Sequence, residues 1–227
     1  MALVLAATLQ LALTLTAAAA PRAALLDLIS PLKAGFDASR EQRESVKSAI
    51  EALARAAPQQ TVPDISGDWE LIYTDAPDIL GLDAQAGPFL TCTKIGQQIS
   101  ESDMTIQNVI EYGPREWASS VVGQVKNDRI QQRVVTTFSR RTDAPTKVDL
   151  KIKGAAFVPK QFFGVSLDAA PPLKLQGFVE PPFGSFEVLY CEEATNDAPE
   201  SIRVVRTTQG YYSINKRLAV DDGWGEV

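Results

Sequence analysis

Ser66-Gly67-Asp68-Trp69-Glu70-Leu71-Ile72-Tyr73-Thr74 is the stretch whose reading decides the fold. Trp69, Leu71 and Tyr73 fall on one face and Asp68, Glu70 and Thr74 on the other, the two-residue period of a pleated strand. Gly67 lets the chain turn tightly into that strand, because glycine tolerates backbone angles that crowd a residue bearing Cβ. The plainer reading of Gly-x-Trp is an aromatic core strand; a tryptophan heading an inward row can also plug the closed end of a barrel. Trp69 is therefore expected to be a buried barrel-end residue.

Downstream, alternation recurs between turn residues. The row Met104, Ile106, Asn108 and Ile110 precedes Tyr112-Gly113-Pro114, and a strand is expected from Trp117 to Val125. After Asn127-Asp128 comes the row Ile130, Gln132, Val134, Thr136 and Phe138, and then Val148, Leu150 and Ile152. Three closing strands are expected around 184–190, 201–206 and 209–216. Consecutive hairpins of this kind imply an antiparallel meander of about eight or nine strands, enough to close a barrel around one small ligand. Segment 154–182 is the least strand-like: Phe157, Phe162 and Phe163 lie among Pro159, Gly164, Pro171 and Pro172. It reads as an apolar loop that either folds over the barrel mouth, docks on lipid or packs as a satellite core.

Before the barrel, Leu25, Leu28, Ile29, Leu32 and Phe36 form one helical stripe that Pro31 kinks or ends. A second helix begins near Ser39, where Ser39 and Gln42 fit a capping box, and buries Val46, Ile50 and Leu53 before Pro58. Residues 1–20 are an uncharged apolar run ending in four alanines before Pro21, the look of a cleaved signal or thylakoid-transfer leader. The division expected is a leader over 1–21, one domain over 22–217 with a helical pair (22–57) and a barrel (66–217), and a tail over 218–227. The fold class is mainly β (α+β).

With a net charge of −6, the chain is a poor candidate for nucleic-acid binding. It contains no histidine, which excludes Ser-His-Asp and Cys-His catalysis and every histidine-containing metal site. Cys92 and Cys191 are too far apart for a paired-cysteine motif and read as two buried free thiols, with a disulfide the alternative in an oxidising compartment. Asp75, Asp78 and Asp83, and Glu192 with Glu193, are the compact carboxylate groupings near motif ends; solvated loop charges explain them better than a paired acid and base. Asn108 interrupts an apolar row and needs a partner, either a backbone group or the carbonyl of a bound lipid or quinone, because an unsatisfied buried amide costs ~1–3 kcal/mol. Gln132 and Thr136 punctuate the next row in the same way. Arg203 and Arg206 point to opposite faces; one lies across the Trp69 ring or either is a surface cation paired with a carboxylate.

The Trp69 strand, Gly96-Gln97-Gln98-Ile99 with the later Asn108, Pro171-Pro172-Leu173-Lys174, the Tyr190-Cys191-Glu192 ending and Ile202-Arg203-Val204-Val205-Arg206 occur in an order that resembles the plastid lipid-associated protein (fibrillin) family. Two departures are the lengthened turn at 194–200 and Thr207 after the second arginine, where that family often has glycine. The resemblance implies a lipocalin-like barrel, and plastid lipid bodies and membranes as the location, thylakoid or plastoglobule; the leader alone also fits the secretory pathway. It implies a non-enzymatic protein without cofactor or metal, whose partner is a lipid, prenyl quinone, carotenoid or fatty acid. Trp69, Leu71, Tyr73, Met104, Ile106, Asn108, Ile130, Gln132, Val134, Thr136 and Phe138 are expected to line the interior, and Phe157, Phe162 and Phe163 to form a lipid-docking loop. The rival reading is a self-filled barrel that coats lipid particles or binds a protein. A carboxylate-dependent barrel enzyme is the weakest alternative.

Overall fold

In a computed structural model that describes residues 18–57, 62–121, 128–162, 165–167, 173–175, 182–193 and 200–225, the alternation of the sequence becomes a closed antiparallel barrel. Its strands are β1 (Gly67–Thr74), β2 (Leu90–Ser100), β3 (Thr105–Pro114), β4 (Arg129–Arg140), β5 (Lys147–Phe162), β8 (Pro182–Cys191), β9 (Ile202–Thr207) and β10 (Tyr212–Arg217). They pair in that order and β10 returns to β1, so the barrel leaves no open edge. The short strands β6 (Val165–Ser166) and β7 (Leu173–Leu175) both pair with the far half of β5.

Helix α1 covers 18–29 and gives way at Pro31 to a short 3-10 turn, Ser30–Leu32. Three consecutive residues of positive φ, Lys33, Ala34 and Gly35, then reverse the chain. The carbonyl of Thr74 passes so close to Gly35 that a Cβ there would lie 2.0 Å from it. Helix α2 (Arg40–Ala56) starts with the expected capping box, Gln42 N donating to Ser39 Oγ at 3.2 Å and Ser39 N to Gln42 Oε1 at 2.8 Å. Leu25, Ile29, Val46, Ile50 and Leu53 pack with Tyr73, Ile202, Val204, Tyr212 and Ile214 on the outer face of β1, β9 and β10. Ala18 is already buried in this cluster, so the folded helix begins before the boundary at 22 that the small-residue run suggests. The leader expectation for residues 1–17, and Phe163 of the docking loop, lie outside the described residues.

A second cluster fills one end of the barrel: Trp69, Ile99, Ile106, Phe138, Val148, Phe186, Val188, Cys191 and Val205, with Ile65 laid across the bottom. The segment carrying Ile65 is tied in place because Ile65 N donates to Glu101 Oε1 and Arg140 reaches both Glu101 and Pro63 O. Residues 218–225 of the C-terminal tail form a folded strap outside the barrel. Trp224 is buried against Gly96, Lys94 lies over its ring at 4.7 Å, and the fully buried Arg133 donates to the carbonyls of Trp224 and Gly225.

Four expectations are corrected. A bulge between Leu71 and Tyr73 flips the remainder of β1, so Tyr73 joins the outer helical cluster. Met104 is exposed in the β2–β3 turn at φ 52°, and the inward row of β3 begins only at Ile106. The segment from Trp117 starts in a short helix, Glu116–Val121, not a strand. Residues 154–162 continue β5, with Pro159 at a register shift, a place where a strand tolerates proline.

The plug generates a stability prediction. Trp69→Ala should cost about 3–5 kcal/mol in chemical denaturation, the range for removing a core tryptophan. A loss under about 1 kcal/mol would mean that Trp69 does not close the barrel.

Candidate functional site

Residues directly opposite in adjacent strands share a face, so the register traces the barrel's lining from Trp69 outward. Trp69 faces Gln97, which faces Asn108, which faces Val134, which faces Ala155. One step towards the plug lie Ile99, Ile106, Thr136 and Ile152; one step towards the other end, which we call the mouth, lie Ile110, Gln132 and Phe157. Every expected lining residue except Tyr73 and Met104 is therefore on the inner face. Phe157, expected in the docking loop, joins them as a strand residue. Phe162 ends β5.

Exposure divides this lining in two. Towards the plug, Trp69, Ile99, Ile106, Thr136 and Phe138 are buried. Towards the mouth, Gln97, Asn108, Ile130, Gln132, Val134, Ala155 and Phe157 keep solvent contact although they point into a closed sheet. A core packed to ordinary interior density would bury them. Ile110 and Tyr112 are the buried exceptions on this half. The mouth half of the inner face is thus packed less fully than the plug half, and we call the space it surrounds, walled mainly by apolar side chains with a few polar ones, the lumen.

At the floor of that lumen, the Arg203 guanidinium lies 4.7 Å and the Arg217 guanidinium 4.4 Å from the centroid of the Trp69 ring. Trp69 Nε1 donates to Ile65 O at 2.9 Å, and Arg217 Nη1 to Ser66 O at 2.7 Å. Arg203 Nη2 donates to Gln97 Oε1, and Gln97 Nε2 donates to Asn108 Oδ1 at 2.8 Å. Arg203 is fully buried, and burial, reinforced by Arg217, lowers its pKa to about 10, so it stays charged at neutral pH. Arg206, on the opposite face, is a surface cation bonded to Glu187 at 2.7 Å. Asn108 thus finds its partner in the Gln97 side chain. Gln97 is the lining residue that the alternation argument missed; its place two residues before Ile99 is the signal that identifies it.

A second opening lies beside the lumen. Pairing of β1 with β2 stops at Glu70–Gly96, and the strands part above it. A groove of about 810 Å³ lies there, bordered by Leu26, Ile29 and Phe36 on the helical side and by Leu71, Cys92 and Ile95 on the strands. Leu71 is on the inner face, since it opposes Asn215, the neighbour of Arg203.

Three of the carboxylates, Asp83, Glu192 and Asp75, have structural partners. Hydrogen bonds from Thr91 and Cys92 N, together with Arg115, hold the Asp83 carboxyl below its ordinary value. Glu192 pairs with Arg22 and accepts from Tyr190 Oη at 2.8 Å, tying α1 to the β8–β9 hairpin. Asp75 Oδ1 accepts from Tyr212 N at 2.6 Å, and burial raises its carboxyl pKa. Among the described residues no three His, Cys, Asp or Glu side chains converge as a metal site would require. Cys92 is half-buried and Cys191 buried; neither is in a disulfide, and burial pushes both thiols up to about 11, which suppresses thiolate chemistry at neutral pH.

The raised Asp75 value has a definite sign. The folded state holds this proton more tightly than the unfolded chain, so the favourable contribution is lost as pH rises through the folded value. Asp75→Asn keeps an acceptor for Tyr212 N and removes the buried charge. It should be as stable as the native chain or up to ~1 kcal/mol more stable at pH 7, with the difference shrinking towards pH 3. Thermal melts at the two pH values check this, and a destabilised variant at pH 7 would contradict it.

Comparison with curated proteins and with solved structures found no match. The family model described as PAP_fibrillin matches residues 20–214, which takes in both the outer helical layer and the barrel down to β10. The chain belongs to the PAP/fibrillin family.

Proposed function

We propose that this protein is a non-enzymatic carrier whose barrel lumen holds one hydrophobic or amphiphilic small molecule of plastid lipid, a prenyl quinone, carotenoid or fatty acid. The observation that carries the reading is the contrast along the inner face, packed around Trp69 and still solvent-touched from Gln97 to Phe157. Burial of ligand apolar area on Ile130, Val134 and Phe157 supplies the affinity, at ~25 cal/mol per Å² before ordering costs, and the sparse polar groups set orientation. Family membership supports plastid lipid, at thylakoids or plastoglobules, as the location.

A lipid-surface contact is supported by the rim of the mouth. Phe89 and Trp117 are 61% and 50% exposed with their rings 5.4 Å apart, and Val165 and Leu173 are 62% and 66% exposed on the strands beside β5. Aromatic side chains of this kind favour the boundary between water and lipid. Among the described residues no helix is long and apolar enough to cross a membrane. The same rim is what the lipid-coat reading would use, so ligand stoichiometry separates the two.

Val134→Trp places an indole in the lumen beside Asn108. It should abolish saturable binding of these lipids in fluorescence titration and native mass spectrometry while preserving the melting transition, since a preformed cavity accepts added bulk that a packed core does not. If the native chain forms no stoichiometric complex, and the variant associates with liposomes as before, the coat reading replaces the carrier reading.

A further inference from the structure

The inner face carries a charge that its own residues do not balance. Arg203 is fully buried, and its Nε and Nη1 have no hydrogen-bond partner among the described residues. The ionisable groups that act on it most are Cys191 and the second cation, Arg217, rather than a carboxylate. The described residues on the inward rows, from Trp69, Gln97, Asn108 and Val134 round to Val205 and Arg203, include no Asp or Glu. A protein of net charge −6 has thus kept its lumen floor positive. A buried charge without a counter-ion is costly, and fully partnered ones are the rule.

The charge is relayed into the lumen in one direction. Arg203 has only donors, so Gln97 must present Oε1 to it and turn its amide nitrogen to Asn108 Oδ1. That in turn fixes Asn108, whose amide nitrogen faces away from Gln97 with two N–H donors that no described residue accepts. The opposite setting of either amide would bring donor against donor. Asn108 is half-exposed, so these donors meet the lumen, and hydrogen bonds in a chain polarise one another, which strengthens the last donor.

Resting on the carrier reading, we propose that Arg203, Gln97 and Asn108 form a head-group subsite that takes the carboxylate of a long-chain aliphatic acid, with its hydrocarbon chain running towards the mouth. A carboxylate is acceptor-only and anionic, matching both the unpaired donors and the unbalanced charge. From Asn108 to Pro114 the β3 wall runs about 20 Å at ~3.3 Å per residue, lined by Ile110 and Tyr112 and, across from them, Gln132 and Ile130. That length suits an extended acyl chain. A carotenoid hydrocarbon satisfies none of the floor donors, and a quinone carbonyl satisfies the hydrogen bond but not the charge.

The test is displacement of Nile red from the full chain by oleate, methyl oleate and 1-octadecene. Oleate should displace the dye at concentrations at least about tenfold lower than its ester, because only the acid is anionic. Asn108→Asp is isosteric, still accepts from Gln97, and replaces the lumen donors with a negative charge; it should weaken oleate at least about tenfold while moving methyl oleate less than about threefold. Asn108→Leu, which removes the donors without adding charge, should bring oleate towards the affinity of the ester. Circular dichroism melts of both variants confirm that the barrel persists. Equal potency of acid and ester on the native chain, or oleate binding unchanged in Asn108→Asp, overturns the subsite while leaving the carrier reading in place. Failure of all three compounds and the dye to bind the native chain overturns both.

Discussion

The Trp69 indole, held by contacts with two guanidinium groups and by a hydrogen bond to the carbonyl of Ile65, divides this barrel into a packed end and a less packed one. Cation–π contacts in a desolvated setting are worth ~2 kcal/mol or more each, which helps offset the burial of two like charges. The ring also supplies the apolar floor on which Ile99, Ile106, Phe138 and Val205 pack. Without that seal, water would enter from both ends and the lumen would be a channel through the sheet rather than a pocket.

Outside, a different interaction fixes the wall. The helical pair covers β1, β9 and β10, and the C-terminal strap covers β2, β3 and β4, with Trp224 pressed onto Gly96 and its carbonyl held by Arg133. Gly96 has no Cβ because Trp69 O and the Trp224 ring already occupy that space, 2.0 and 2.3 Å from where it would lie. Trp224 Nε1 then donates to Trp69 O at 3.3 Å, so the strap is tied to the backbone of the plug residue itself. The plug is braced from outside the barrel as well as from within.

Most of the barrel was legible because alternation is a direct consequence of the pleat: the register places the rows Ile106–Ile110 and Ile130–Phe138 on the inner face. The errors fall where one residue breaks that period. The bulge after Leu71 inserts a residue that no alternation pattern can reveal, and it sends Tyr73 outward. Met104 matched its row in parity alone, but it occupies a left-handed turn position that the Ser100 and Asp103 side chains build. Pro159 argued for a loop, yet it sits at a register shift of β5, where a strand accepts it. The strap was invisible because its partners, Arg133, Gly96 and Lys94, lie about a hundred residues away and show no local pattern. At the site, the Arg203–Trp69 contact was legible as one of two options, whereas Gln97 was hidden in a run of polar residues whose facing only the register decides.

The flip at the β1 bulge also explains how one short strand serves both layers. Before it, Trp69 and Leu71 face the lumen; after it, Tyr73 faces the helices and Thr74 faces inward, where its hydroxyl meets Ser213 Oγ at 3.0 Å. The same stretch of β1 loses its pairing to β2 and gains the backbone bond from Thr74 N to Ala34 O, at 3.0 Å, in the turn after α1. The helical layer therefore replaces β2 as the neighbour of β1 at the mouth, and the groove beside Leu71 and Ile95 is what that exchange leaves behind. The barrel wall is held there by packing against the helical layer rather than by strand hydrogen bonds, because the β1–β2 ladder has already ended.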